Sequence, residues 1–442
     1  MRFQKTNRKA YLNYLRAQYE AMTGAVLVQS YPYILNLDPA SVCQLRCPTC
    51  PTGVENESRR MRDPLMFRER AMMNTDFFDA LLDEIGEYLF LIMLYNWGEP
   101  LLNRHLPAFI RKAKEYQICI EIHTNLSLRM DDARLENLLS SGVDVIAASL
   151  DGFTQETYQT YRRGGNFELA KTNIERLAAM RDRLGLKTEI VWNFLVFRFN
   201  EHEIDAVRRY CDQIGITFNR REAFITNPDW LPSYRQNEAE ALKNPIPPQS
   251  KPANLEVYRQ HSSCAWHYRY SVINANGSVS PCCVPWEQTH DFGVLRPGTV
   301  SFRDVWNNPQ YRRSRSAFAE KPIPGLEKVD SLCLRCPYGP IVQNLYTHLN
   351  TEVNAQFYRV FKTRDPLLKH AIRRLSSPES FIAFYTQHMG ELYAKEHDLD
   401  IVQPGLYQNI KDKLKPYTAR LFQRFPDLYV KSKTFEKRIR RI

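Results

Sequence analysis

Short apolar runs alternate with amphipathic stretches over the first half of the chain. Runs rich in β-branched and aromatic residues predict six strands. Between the strands, apolar residues recur at i, i+3, i+4 and i+7, which is the spacing of helices with one buried face. The strands are predicted at YILNLD (33–38), LFLIMLY (89–95), ICIEIH (118–123), VDVIAASL (143–150), TEIVWNFLVF (188–197) and ITFNRREAF (216–224).

This alternation predicts an α/β fold with a parallel sheet, namely a partial (β/α)6 barrel. In such folds ligands bind beyond the carboxyl ends of the strands. The chain places its unusual residues there. A cysteine-rich segment follows the first strand, NWGEP the second, TNLS the third and SLDG the fourth. We therefore expect the functional site at that edge of the sheet.

The composition changes after the sixth predicted strand. A proline-rich, polar stretch is typical of a linker or a covering loop. A cysteine-bearing segment follows it, and the end of the chain combines helical patterns with a basic tail. The predicted regions are an N-terminal helical segment (1–29), the barrel (30–225), the linker or covering loop (226–262), a small cysteine-rich domain (263–340) and a helical basic region (341–442).

Composition and charge narrow the function classes. The 442 residues are 43% hydrophobic and 12% aromatic, as expected for a packed globular protein. No apolar run approaches a bilayer span and the N-terminus lacks the apolar core of a secretory signal, so we expect a cytoplasmic protein without membrane contact. The net charge of +11 invites a nucleic-acid interpretation. No nucleic-acid-binding signature accompanies it, which favours a solvated basic surface or an anionic partner.

Three cysteines stand close together in SVCQLRCPTC, with the spacing C-x3-C-x2-C. Cytoplasmic thiols stay reduced, so the cluster favours metal binding over disulfides. A [4Fe–4S] cluster normally takes one thiolate at each iron. Cys43, Cys47 and Cys50 would therefore leave one iron open, in a loop that the following Pro-Thr and Pro-Thr-Gly turns keep free of regular structure. Half of a zinc site is the alternative.

The trio after the first strand resembles the signature of radical S-adenosylmethionine (SAM) enzymes. In that family SAM chelates the open iron, and its reductive cleavage gives a 5′-deoxyadenosyl radical that abstracts hydrogen from the substrate. NWGEP resembles the family's GGE motif, which implies that Gly98 and Glu99 bind the SAM amino group, although Trp97 replaces the first glycine. ETYQTYRRGG resembles the segment that grips the SAM carboxylate, which implies this role for Arg162.

The resemblance continues at the ends of later strands. SLDG resembles the family's fourth-strand polar motif, which implies that Ser149 lies near the SAM ribose or carboxylate, with Asp151 beside it. TNLS and FLVFRFN resemble the motifs that end strands three and five, which implies cofactor contacts from Thr124, Asn125 and Leu195. The resemblance also implies a flavodoxin- or ferredoxin-like electron donor.

A second cysteine set lies beyond the linker. Cys264, Gly277 and Cys282 show the spacing C-x12-G-x4-C, and VINANGSVSPC predicts a hairpin with an Asn-Gly turn. Cys333 and Cys336 form a C-x2-C pair. The set resembles the opening of the SPASM domain, shortened as in the twitch domain, which implies four ligands and one auxiliary [4Fe–4S] cluster. Four thiolates suit zinc equally well, and this alternative stays open.

The remaining cysteines have weaker signals. The spacing favours Cys282 over its neighbour Cys283 as the ligand, although the sequence leaves this choice open. If Cys283 is not a ligand, it is a candidate hydrogen donor to a substrate radical. Cys119 and Cys211 fall on a predicted strand and a predicted helix and are expected to be buried apolar residues.

The sequence thus predicts a radical SAM enzyme, with a resemblance that covers about residues 33–340. A small polar substrate, such as a sugar-derived molecule, is expected because no peptide-recognition domain is evident near the N-terminus. The outcome would be oxidation, rearrangement or epimerisation. Maturation of a ribosomally made peptide is the alternative. A non-catalytic zinc protein that binds nucleic acid is the second alternative.

Overall fold

The computed structural model describes residues 3–57, 68–238, 264–317, 324–335, 347–361 and 365–393. The chain divides into two compact units, 1–388 and 389–442. All the strands in the described ranges belong to the first unit. Within these ranges, no helix is long and apolar enough to cross a membrane.

The strands and helices alternate along the chain as the apolar pattern predicts. The strands are β1 (Ile34–Leu37), β2 (Leu91–Met93), β3 (Cys119–Thr124), β4 (Val145–Ser149), β5 (Glu189–Val196), β6 (Thr217–Glu222), β7 (Tyr270–Ile273), β8 (Ser278–Ser280) and β9 (Gly293–Val294). The helices are α1 (Arg8–Thr23), α2 (Pro51–Glu57), α3 (Thr75–Ile85), α4 (Leu106–Glu115), α5 (Asp132–Leu139), α6 (Gln155–Tyr161), α7 (Phe167–Arg183), α8 (Ile204–Gln213), α9 (Phe302–Trp306), α10 (Pro309–Ser316), α11 (Thr347–Phe361), α12 (Pro366–Arg373) and α13 (Pro378–Tyr393).

The first six strands lie side by side in the order of the sequence and are all parallel. Successive parallel strands need crossover connections, and crossovers of one hand place their helices on the same face of the sheet. This sequential order is that of a sheet wound in one direction. The predicted α/β fold with a partial (β/α)6 barrel is therefore confirmed.

The two faces of this sheet differ in chemistry because strand residues alternate between them. One face packs against the helices: Ile120 and Ile146 join Phe109 of α4 and Ile174 of α7 in the main apolar core. We call the opposite side the inner face. It carries Leu91, Met93, Glu121, His123, Val145, Ala147, Ser149, Val191 and Asn193.

The hairpin predicted in the cysteine-rich segment is present as β7 and β8, with Gly277 at φ +81° in the connecting turn. Its partner in the sheet was not predicted. β7 pairs in parallel with β1, in the register Leu35 opposite Ser271, and β9 adds to β8. The sheet therefore has nine strands in the described part of the chain. The region boundaries proposed from sequence stay predictions.

A buried ion pair fastens the segment before α3 to this hairpin. The Arg68 guanidinium donates to both carboxylate oxygens of Asp291, at 2.6 and 2.9 Å, and to the Ser280 hydroxyl at 2.8 Å. The two charged side chains are 6% and 7% exposed. A two-point contact of this kind fixes geometry as well as charge. The cysteine-bearing segment is thereby held to the barrel.

The terminal helices pack beside the start of β1. Tyr11 and Tyr14 of α1 meet Phe90 edge to face, with ring centroids 5.1 and 6.4 Å apart. Phe357 of α11 lies 5.6 Å from Tyr11. Helices are thus present near both chain ends where the structure describes them, while the two predicted helical regions stay predictions. These helices cover the amino-terminal side of the sheet, away from the edge that carries the cysteine trio.

Candidate active site

The cysteine trio occupies the loop between β1 and α2, and all three thiols are free. The Cys50 amide donates to the Cys47 carbonyl at 3.2 Å, and the Val54 amide donates to the Cys50 carbonyl at 2.8 Å. The expectation that Pro-Thr-Gly continues the loop as a turn is wrong, since Pro51 begins helix α2. Proline is favourable at the first helical position because its missing N–H has no partner there anyway.

The loop buries its sulfur atoms together. Burial raises the pKa of the Cys43 thiol, and the nearby Glu99 adds to this rise. Burial also raises the pKa of Cys47 to about 11, against the effect of Arg162. Cys50 contributes to both shifts, as expected for three neighbouring sulfur atoms. Such thiols stay neutral until a metal supplies the positive charge that deprotonates them.

The donor set suits an iron–sulfur cluster with one open iron, because it offers three soft sulfur ligands on one loop. Across residues 3–57, 68–238, 264–317, 324–335, 347–361 and 365–393, no group of three or more His, Cys, Asp or Glu side chains is already arranged around a metal position. The residues present therefore fit the cluster by their chemistry and placement rather than by a preformed geometry.

Gly98 lets the segment after β2 lie directly on the cysteine loop. A Cβ atom at this position would overlap the Ala40 carbonyl oxygen. The Gly98 amide donates to Asp38 Oδ1 at 3.4 Å, and the Thr52 hydroxyl donates to the Trp97 carbonyl at 2.8 Å. The NWGEP segment is thus held against β1 and α2 by its backbone.

Glu99 is 2% exposed and joins three parts of the site. Its amide donates to the Val42 carbonyl at 2.8 Å. Its carboxylate accepts hydrogen bonds from the Thr124 hydroxyl at 2.6 Å, the Asn125 amide at 2.8 Å and the Leu101 amide at 3.0 Å. Burial raises the pKa of Glu99, and these donors oppose the rise. The residue therefore ties the ends of β2 and β3 to the cysteine loop, while its role toward SAM stays a prediction.

Asn125 faces the first cysteine. Its side-chain nitrogen Nδ2 lies 3.6 Å from Cys43 Sγ, within the range of an N–H···S hydrogen bond. Gln44 Nε2 donates to Asn125 Oδ1 at 2.8 Å and to the Ser127 carbonyl at 3.1 Å. Sequence reasoning missed Gln44, whose only signal was its position inside the cysteine trio. The pair fixes the TNLS segment beside the loop.

An ion pair joins the ends of β4 and α6. Arg162 Nε lies 2.5 Å from Asp151 Oδ2, and its Nη1 lies 3.9 Å from Cys47 Sγ. The Leu195 amide donates to Asp151 Oδ1 at 2.8 Å. Burial disfavours the charged guanidinium, but Asp151 and Cys47 outweigh it, so the pKa of Arg162 is raised. Four residues named from the sequence, Cys47, Asp151, Arg162 and Leu195, are thereby brought together.

Aromatic residues cover the cysteine loop on its outer side. The Tyr161 hydroxyl lies 2.7 Å from Thr49 Oγ1, and the Tyr161 ring packs against Phe197. Trp230 lies 5.6 Å from the Phe197 ring and Leu231 is fully buried in the same cluster. The start of the stretch predicted as a linker or covering loop therefore packs onto the site.

The inner face adds a polar set that sequence reasoning missed. The rings of Tyr95 and His123 stack with centroids 3.8 Å apart and planes 10° apart. His123 Nε2 lies 2.6 Å from Glu121 Oε1, and both side chains remain 17–18% exposed. Ser149 lies on the same face at the end of β4. The alternation in ICIEIHT places Glu121 and His123 on one side of a strand, but it does not say which side is open.

The second cysteine set is also brought together in part. Burial raises the pKa of Cys282 most, and the thiols of Cys283, Cys333 and Cys264 add to the rise. Burial alone raises the pKa of Cys283 to about 12, without a contribution from Cys264 or Cys333. The choice of Cys282 over Cys283 as the ligand stays a prediction. Cys336 lies outside the described residues.

Cys119 and Cys211 stand apart from both sets. Both are at most 1% exposed, in β3 and α8 respectively. They behave as buried apolar residues, as the sequence predicts.

Comparison with known proteins identifies the family. Residues 38–211 match the radical SAM superfamily and residues 264–337 match SPASM, an iron–sulfur cluster-binding domain. The PqqA peptide cyclase of Granulibacter bethesdensis is 27% identical over 294 residues, which span 62% of this chain and 73% of that protein.

Two further proteins are similar to this chain, one over a smaller share of its residues and one at a lower sequence identity. A probable GTP 3′,8-cyclase of Methanococcus maripaludis is 28% identical over 191 residues, 42% of this chain and 57% of that protein. The crystal structure of Streptococcus suis SuiB superposes with a TM-score of 0.45 at 15% identity, over 65% of this chain and 68% of that chain.

The two domains imply the cofactors. A radical SAM domain implies a [4Fe–4S] cluster and SAM, and a SPASM domain implies an auxiliary iron–sulfur cluster. When bound, the first cluster and SAM supply a carbon radical, while the protein contributes binding, orientation and exclusion of water. The interpretation as a non-catalytic zinc protein is thereby set aside. The chain belongs to the radical SAM superfamily and is an enzyme of its SPASM-containing branch.

Proposed function

We propose that this enzyme modifies a peptide. The observation that carries the proposal is the extent of the match to two peptide cyclases, which covers 62% and 60% of this chain and 73% and 74% of those proteins. The matched GTP cyclases of Methanococcus and Chlorobaculum tepidum span 30–54% of this chain. The peptide alternative thus replaces the small polar substrate that the sequence alone favoured.

The residues at the strand ends receive proposed roles around SAM. Cys43, Cys47 and Cys50 hold the first cluster through three of its irons. The Gly98 backbone and Arg162 bind the amino and carboxylate groups of SAM, and Asp151 orients the Arg162 guanidinium. Glu99, Thr124, Asn125 and Leu195 shape this pocket, and Ser149 lies toward the ribose.

The inner face supplies the proposed peptide contacts. His123 is oriented by Glu121 and held flat by Tyr95, so its ring has a fixed position on the open side of the sheet. In the described part of the chain, the hydrogen bond between the His123 ring and the Glu121 carboxylate is the only one that these two side chains make. A fixed, partly exposed polar pair beside apolar residues such as Val145 and Ala147 is typical of a site that orients a ligand.

The experiment follows hydrogen from the substrate. The reconstituted enzyme is incubated with SAM, dithionite and the peptide fraction of fully deuterated host cells, and deuterium in 5′-deoxyadenosine is measured by mass spectrometry. We expect deuterium transfer from the intact fraction and none after its digestion with a broad-specificity protease. Transfer that survives digestion would contradict a peptide substrate, as would transfer from deuterated GTP alone.

The inner-face contacts are tested in the same assay. We expect His123→Leu to lower the ratio of deuterated to total 5′-deoxyadenosine at least about tenfold. The substitution removes the proposed contact between His123 and the peptide, and a loss of about 1.4 kcal/mol of binding free energy corresponds to a factor of ten. His105→Leu is the matched control, since His105 lies before α4 outside the inner face. An unchanged ratio in His123→Leu would remove the inner-face residues from the peptide site.

The proposed role of Arg162 predicts that a second substitution can restore the stability of an Arg162 variant without restoring its SAM binding. Arg162→Ala leaves the fully buried Asp151 carboxylate without its partner, which costs about 3–5 kcal/mol of unfolding free energy. Adding Asp151→Asn removes that buried charge and restores most of the stability. SAM affinity stays about ten- to a hundredfold weaker in both variants, because one charge-assisted hydrogen bond contributes about 1.5–3 kcal/mol.

Thermal melts and SAM titration by calorimetry measure the two effects. Arg163→Ala is the matched control, because Arg163 is 44% exposed and its ion pair among the residues that the structure describes is with the half-exposed Glu57. Wild-type SAM affinity in the double variant would assign the SAM carboxylate to another residue.

A further inference from the structure

A buried histidine lies against the second cysteine set. His267 ends a short 3-10 turn (Ala265–His267) that begins one residue after Cys264, and its side chain is 1% exposed. Its Nε2 atom lies 3.3 Å from Cys333 Sγ. The His267 amide also donates to the Cys264 carbonyl at 3.1 Å. One residue therefore contacts two of the cysteines through its ring and its backbone.

A buried cation stands behind this histidine. Arg315 of α10 is fully buried, and its Nε donates to the His267 carbonyl at 2.9 Å. Its other hydrogen bonds go to the Asn307 side chain at 3.2 Å and the Val26 carbonyl at 3.4 Å. In the described ranges no carboxylate pairs with Arg315. The aromatic rings of Tyr268, Trp306 and Tyr311 surround it at 4.7–5.7 Å.

The same helix also places Cys333. The Cys333 amide donates to Ser331 Oγ at 3.2 Å, and this hydroxyl lies 2.6 Å from Ser314 Oγ, next to Arg315 in the chain. The histidine, the cation and the cysteine are thus held by one packed unit. Their distances are fixed by buried contacts rather than by mobile side chains.

We propose that His267 donates an N–H···S hydrogen bond to Cys333 and, together with the charge of Arg315, raises the reduction potential of the auxiliary cluster. Hydrogen bonds to the sulfur ligands and nearby charge are two of the factors that set such potentials. Both stabilise negative charge, which is greater in the reduced cluster. A higher potential makes the cluster a better acceptor of an electron from a substrate radical, which favours a net oxidation. His267 is therefore a positioning and tuning residue.

The inference rests on the auxiliary cluster and not on the substrate, so it can fail while the peptide proposal stands. The test uses the full chain with Cys43, Cys47 and Cys50 replaced by Ala, so that only the auxiliary cluster remains. Its midpoint potential is measured by redox titration with electron paramagnetic resonance. We expect His267→Phe to keep about four irons per chain and to lower the potential. His267→Gln, which retains an N–H donor, should restore most of the shift.

His290→Gln is the control, because His290 lies in the same domain on the turn Gln288–His290 and donates to no cysteine in the described residues. A second measurement needs no substitution at His267. With 15N-labelled histidine, a hydrogen bond gives a weak nitrogen hyperfine coupling to the reduced cluster. An unchanged potential in His267→Phe would overturn the proposal. So would a strong coupling, or loss of the cluster in both His267 variants, since either makes His267 a direct ligand.

Discussion

Replacing Cys43, Cys47 and Cys50 together by Ala is expected to reduce SAM cleavage to the level of the protein-free reaction. The three thiols lie on one loop at the end of β1 and are the ligands that we assign to the first cluster. Without that cluster no electron reaches the sulfonium of SAM. The second cysteine set lies on different elements, so the variant should retain about four irons per chain. Iron and sulfide analysis and 5′-deoxyadenosine quantification measure both effects.

Cys211→Ala provides the matched control for this variant. Cys211 is fully buried in α8 and belongs to neither cysteine set. Its replacement removes one sulfur atom from the core and should leave SAM cleavage unchanged, at a stability cost of about 1 kcal/mol. SAM cleavage at the wild-type rate in the triple variant would place the chemistry elsewhere in the chain.

Gly98→Ala is expected to disrupt the same site through the backbone. The added methyl group overlaps the Ala40 carbonyl oxygen and approaches the Val42 amide nitrogen. Both are main-chain atoms, so relief requires a shift of the segment that carries Cys43. Overpacking of this kind costs about 1–3 kcal/mol. The variant should therefore melt at a lower temperature and lose SAM binding, while its auxiliary cluster persists.

Gly24→Ala is the control, because it measures the stability cost of replacing a glycine away from the site. Gly24 has φ +64° and no heavy atom within 4 Å of an added Cβ. Its replacement costs about 1–2 kcal/mol of backbone strain and should leave SAM binding intact. Equal SAM affinity in Gly98→Ala and the wild type would mean that the NWGEP segment does not form part of the SAM pocket.

The strand order and the location of the site could be predicted from the sequence. The apolar runs and helical spacings are local signals, and parallel strands with helical connections place their carboxyl ends at one edge. The cysteine trio, Glu99 and Arg162 each follow a predicted strand or its connection, so their proximity follows from topology. The structure brings all of these residues to that edge.

Other features depend on contacts between distant segments. The run YSVI predicts a strand, but nothing in it indicates that β7 pairs with β1 across more than two hundred residues. Glu121 and His123 share a face by simple alternation, yet only the packing of Ile120 on the helices shows that this face is open. The sequence pattern does not single out His267, because one histidine near cysteines has no distinctive spacing. Its meaning comes from the 3.3 Å contact with Cys333.

Formation of 5′-deoxyadenosine tests the central claim most directly. The full-length chain is purified and reconstituted without oxygen, reduced with dithionite and supplied with SAM, and the product is quantified by liquid chromatography. We predict 5′-deoxyadenosine that depends on both the reductant and the protein, in amounts at least equal to the enzyme. No 5′-deoxyadenosine from protein that carries its full complement of iron and sulfide would contradict the assignment of this site to radical SAM chemistry.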